Sequence, residues 1–186
     1  MPIPNHEEHE HSAAQIVDSL SALCSEHNVS VAVAESLTGG RISGHLAAAA
    51  GAADWYAGAV VAYSSEVKHR LLDVPRGSVI SQVSVESMVR SVCTLMGADA
   101  AVAVSGAGGP TGQDGQEPGT TWIAVLVDGE VQSERRSFAG DPIDILAQTQ
   151  ERALALLLAA LRKRYEVASA PTHSSTRQNG RPIGSE

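Results

Sequence analysis

Three short apolar runs, Val29 to Ala34, Tyr56 to Tyr63 and Ala100 to Val104, constrain this chain more than anything else in it. Each gives way at once to a polar loop, and the first two loops lead into stretches with helical spacing. An apolar run of this length bounded by turn residues suits a strand buried on both faces. Strands of that kind need helices on both sides of their sheet. Helical stripes supply them. Ala13, Ile16, Val17, Leu20, Leu23 and Cys24 form one; Val85, Met88, Val89, Val92 and Met96 form another, capped by Ser84 and stopped by Gly97; Ile143 to Tyr165 is a third and long one. A short helix from Ser64 or Ser65 through Leu72 follows the second strand. Asp128-Gly129 between Thr120 to Val127 and Glu130 to Phe138 is a hairpin signal. Parallel crossovers early and an antiparallel hairpin late predict an α/β chain, a three-layer α/β/α domain with a mixed sheet.

The 186 residues suffice for one domain of ordinary size. Apolar residues make up 43% of the chain and aromatic ones 3%, so the core is expected to be Ala, Val, Leu and Ile in close layers. Residues 1–11 are polar and acidic, and residues 166–186 are rich in Ser, Pro and Gly. Both ends are expected to lack order, which leaves 12–165 as the domain. His6, His9 and His11 alternate with Glu7, Glu8 and Glu10, but not in a metal-binding spacing, so no metal site is expected there.

A net charge of −8 with scattered basic residues argues against a polynucleotide partner. No run approaches the ~20 apolar residues that span a bilayer, and the first residues lack the basic and apolar regions of a signal peptide. A cytoplasmic protein with no membrane partner is expected. Cys24 and Cys93 sit within helical patterns and read as small buried hydrophobes without a disulfide.

Ligands of open α/β sheets bind where loops leave the carboxyl ends of strands. Three polar loops qualify: Glu35 to Gly40, Tyr63 to Lys68, and Ser105 to Gly119. In the first, Ser36 follows a strand directly, and Thr38, Gly39 and Gly40 open a helix whose unpaired N–H groups attract an anion. The same residues also suit a plain cap and turn. A serine hydroxyl needs a base to become a nucleophile, and no histidine is placed for that work. Lys68 is the candidate, as the third residue of a helix capped by Ser65: a helix amino terminus and burial both disfavour a charged amine, while Glu66 would oppose them. A solvated surface lysine is the alternative. In the third loop Ser105, Gly106, Gly108, Thr111, Gln113 and Asp114 match neither a dinucleotide nor a nucleoside-triphosphate loop.

Taken together, Ala34-Glu35-Ser36-Leu37-Thr38-Gly39-Gly40, Tyr63-Ser64-Ser65-Glu66-Val67-Lys68 and Ser105-Gly106-Ala107-Gly108-Gly109-Pro110 with Pro118-Gly119-Thr120 resemble the CinA carboxy-terminal domain family, several members of which are nicotinamide mononucleotide amidohydrolases. The likeness runs from about residue 13 to residue 162. It implies a cytoplasmic homodimer or larger homo-oligomer that acts on a pyridine nucleotide without metal or organic cofactor. Ser36 falls on the nucleophile, Lys68 on the base and Tyr63 on a supporting position. Glu35, Thr38, Gly39, Gly40, Ser105, Gly106 and Gly108 are expected around the substrate, with N–H groups near Gly39 and Gly106 holding an oxyanion. Where the family commonly carries two arginines this chain has Pro142 and Leu146. A second reading follows from them, a nucleotide-binding module of the same fold with impaired catalysis.

Overall fold

The computed structural model describes residues 5–165, so the expected disorder of residues 1–4 and 166–186 lies outside the described residues. Five strands form one mixed sheet in the order β2-β1-β3-β4-β5: β1 is Val31–Glu35, β2 Tyr56–Val61, β3 Ala100–Gly106, β4 Thr120–Val127 and β5 Glu130–Ser137. β1 runs parallel to both β2 and β3, whereas β3 with β4 and β4 with β5 are antiparallel. This is the mixed sheet read from the sequence.

Side chains alternate across it. Val31, Val33, Val102, Val104, Ile123 and Val125 face the layer made by α1 (His6–His27), α2 (Arg41–Ala47), the one-turn α3 (Ala52–Trp55) and α6 (Pro142–Tyr165). Ala32, Ala34, Ala101, Ala103 and Ala124 face α5 (Gln82–Met96). Alanine on that face lets a single helix lie close over three strands, while the branched residues opposite fill the space under several helices. Leu20, Leu154, Leu157 and Leu161 are fully buried there, and each such side chain contributes about 1.5 to 3 kcal/mol through lost apolar surface.

Helix α1 begins well before the sequence led us to expect. The acidic run at His6 to His11 is helical, headed by a capping box in which Asn5 Oδ1 accepts from Glu8 N and a Glu8 carboxylate oxygen accepts from Asn5 N. Tertiary pairs then hold that first turn: His9 with Glu151, the Ser12 hydroxyl donating to Glu151 at 2.6 Å, and Glu10 with His45 at 2.8 Å. A segment polar enough to stay in water is ordered because its charges meet partners on α6 and α2. Helix α5 is capped by Ser81, one turn earlier than Ser84, which is buried inside the helix.

Among the described residues no helix is long and apolar enough to cross a membrane. Cys24 and Cys93 are free and buried.

Candidate active site

The parallel register decides where the three loops meet. Glu35 is level with Val61 of β2, Ala34 is level with Ala103 of β3, and Ala62 N donates to Glu35 O at 2.7 Å. Carried one step further, this register sets Ser36 between the residues that follow β2 and the end of β3. Because β1 has parallel neighbours on both sides, the crevice at its carboxyl end is where such sheets bind ligands. A cavity of about 320 Å³ opens there, lined by Ser36, Leu37, Tyr63, the glycine turn at Gly106, Gly108 and Gly109, and by Gln113, Pro142 and Leu146. It lies at the lower end of the usual range for small-molecule sites. A larger groove of about 570 Å³ lies beside the Asp128 hairpin and the end of α6, at the opposite pole of the parallel strands.

Lys68 belongs to α4 (Ser65–Leu71), whose cap is Ser64 rather than Ser65, so it is the fourth helical residue. Only 1% of it is exposed. Its Nζ donates to the backbone carbonyl of Tyr63 at 3.2 Å, which brings the amine to the residue that lines the cavity beside Ser36. Burial holds the amine below the ordinary lysine range, opposed by the negative charge of Asp114. Glu66, the carboxylate expected to oppose it, instead turns to solvent and pairs with Arg76 at 2.7 Å. Two of the described histidines turn away from the site: His69 Nδ1 lies 2.9 Å from Val74 O, and His45 faces Glu10.

The first loop works differently from the expectation. Glu35 is buried and accepts from Thr38 Oγ1 at 2.7 Å, Gly40 N at 3.0 Å, Ile42 N at 3.2 Å and Ser43 N at 2.7 Å. Gly39 N donates to Ser36 O at 3.1 Å. The anion at the start of α2 is therefore the protein's own carboxylate, and Glu35, Thr38, Gly39 and Gly40 form the support beneath Ser36 instead of lining the cavity. A buried carboxylate at a helix amino terminus satisfies the donors that such a terminus leaves open. Gly39 and Gly40, at φ +59° and +99°, make the turn that brings those donors round.

Ser105 is likewise structural, its hydroxyl donating to Val79 O at 2.6 Å. Gly106 and Gly108 do reach the cavity. A Cβ at Gly106 would lie 2.6 Å from Thr120 O, so only glycine lets β3 end so close to β4. Leu37, Gly109, Gln113, Pro142 and Leu146 line the cavity without having been assigned to the site. The last two sit at the start of α6, distant in sequence, and only the family resemblance marked them, as the positions of two arginines. Among the described residues no group of three or more His, Cys, Asp or Glu side chains is placed to hold a metal ion.

Residues 13–161 match the family described as CinA C-terminal domain. The chain is 40% identical over 152 residues to the nicotinamide-nucleotide amidohydrolase PncC of Pseudomonas putida, a match that covers 76% of this chain and 95% of that one. It is 34% identical over 158 residues to the CinA-like protein of Gemmatimonas aurantiaca, across 80% of this chain but 36% of that longer protein. Among solved structures, the competence or damage-inducible protein of Enterobacter asburiae superposes with a TM-score of 0.78 at 32% identity, covering 80% of this chain and 98% of that one.

Proposed function

The chain belongs to the CinA C-terminal domain family, and on that premise we propose that it hydrolyses the carboxamide of nicotinamide mononucleotide to nicotinate mononucleotide and ammonia, in the cytoplasm and as a homo-oligomer. The observation that carries the reading is the buried Lys68 amine, which ends on the carbonyl of Tyr63 at the edge of the cavity that Ser36 lines. The P. putida amidohydrolase supplies the substrate class.

Neutral Lys68 takes the proton of the Ser36 hydroxyl as Oγ bonds to the carboxamide carbon and the carbonyl electrons move onto oxygen. The N–H groups of Gly106, Gly108 and Gly109 receive that oxyanion, since those at the start of α2 are engaged by Glu35 and that of Ala107 by Thr120 O. Collapse breaks the carbon–nitrogen bond, and the proton held by Lys68 passes to the departing nitrogen, which leaves as ammonia. Water then yields a proton to Lys68 while its oxygen bonds to the acyl carbon. The ester bond to Oγ breaks, and Lys68 returns the proton to Ser36. Tyr63 lends its carbonyl to hold the amine between these steps.

Ammonia release from nicotinamide mononucleotide tests the reading. Ser36→Ala and Lys68→Met should each lower the rate by at least about a thousandfold, and equal rates in all three proteins would end the mechanism. The apolar wall at Pro142 and Leu146 favours the second reading, a binding module without turnover. Calorimetric binding of nicotinamide mononucleotide with no ammonia released would establish it.

A further inference from the structure

The glycine loop that lines one side of the cavity is fastened by a carboxylate outside it. Within that loop Gln113 N donates to Gln116 O at 3.0 Å and Gln116 N to Gln113 O at 2.9 Å, which pinches residues 113–116 into a tight turn. Asp114 sits in this turn at φ +57°. Its Oδ2 accepts from Val79 N at 2.6 Å. Val79 O in turn accepts from Ser105 at the end of β3. The Val79 segment is thus gripped on one side by the strand that carries the glycine turn and on the other by the loop itself.

We propose that Asp114 is a positioning residue for the Ser36 and Lys68 chemistry, which latches the glycine loop to the Val79 segment. The proposal rests on the hydrolase reading above. The latch carries it: Asp114 Oδ2 holds Val79 N at 2.6 Å while Val79 O holds the Ser105 hydroxyl at the end of β3, and the Asp114 charge also opposes the lowering that burial imposes on the Lys68 amine. Three other charged or titratable groups on or beside α4 face away from the amine. Glu66 pairs with Arg76, Glu35 of β1 faces the start of α2, and His69 faces Val74 O. Burial weakens the amine's hold on a proton, and the Asp114 charge opposes that lowering.

The roles of latch and charge separate in pH profiles of ammonia release from nicotinamide mononucleotide. Asp114→Asn keeps an oxygen for Val79 N and removes the charge, so the acid limb of kcat/KM should move to lower pH. Because Asp114 is exposed, water and salt screen it, and the expected gain on that limb relative to each plateau is about two- to threefold. Asp114→Glu keeps the charge and loses the geometry, so it should raise KM with the limb unmoved. Should the Asn variant not fold, the Gln and Glu variants repeat the comparison. A wild-type KM in Asp114→Glu together with an acid limb that superimposes on the wild type in every uncharged variant overturns the role of Asp114. A Lys68→Met protein with undiminished rate would instead strike down the base itself, and with it the reading on which Asp114 depends.

Discussion

Replacing Glu35 by glutamine tests whether this carboxylate is the keystone under Ser36 or a group that meets substrate. Oε2 accepts three hydrogen bonds, from Thr38 Oγ1, Gly40 N and Ile42 N, and Oε1 accepts one from Ser43 N. Glutamine can turn its oxygen to the three donors, but its amide then points N–H at the N–H of Ser43. Three charge-assisted bonds become neutral at about 1 kcal/mol each, and one donor is left facing a donor at about 1 to 2 kcal/mol. Removing a buried charge recovers part of that loss through relieved desolvation. The net destabilisation should be about 2 to 3 kcal/mol, or roughly 5 to 10 °C in Tm for a domain of this size. Urea unfolding followed by circular dichroism measures it, with an unchanged slope marking a true change in stability. KM of the folded variant should stay at the wild-type value, because the carboxylate faces α2. A Glu35→Gln protein within about 0.5 kcal/mol of wild type, or one that stays stable while KM rises, would refute the assignment.

Three further outcomes follow from the structure. Glu134, held between Arg152 and Arg136, has its carboxyl drawn down to about 2. A carboxyl lowered on folding adds stability above the unfolded pKa near 4.5 and loses it as pH falls toward 2. Glu134→Gln should therefore cost about 1 kcal/mol at pH 7, with the gap to wild type closing across that acidic window in thermal melts; a gap that persists at pH 2 would contradict the pairing. The thiol of Cys24 is pushed up to about 12 by burial, so neither it nor buried Cys93 should react with a thiol reagent at pH 8 until the protein is unfolded. Asn5→Ala breaks the capping box of α1 and should cost about 1 kcal/mol, seen as earlier exchange of the first-turn amides.

The strands and the long helices were legible because burial forces composition. Val31 to Ala34 and Ala100 to Val104 carry no polar residue, and a segment covered on both faces carries one only where a partner satisfies it. Ser36, Tyr63, Gly106 and Gly108 reached the cavity because strand ends place the following residue whatever the loop does next. Roles within the loops were harder. Glu35 and Ser105 look like ligand groups in sequence, and only the fold supplies the competing partners, the start of α2 and Val79 O. The order of His6 to His11 had a local sign, Asn5 three residues before Glu8, which a reading by polarity passed over. Asp114 had none, since the donor that holds it, Val79 N, lies 35 residues earlier.

An acyl-enzyme on Ser36 is the most direct mark of the chemistry. Protein incubated with nicotinamide mononucleotide, quenched in acid and digested, should yield a peptide containing Ser36 heavier by the nicotinate mononucleotide acyl group, and that adduct should vanish in Ser36→Ala. Steady ammonia release by the Ser36→Ala protein, with no adduct on any peptide of the wild type, would contradict the account.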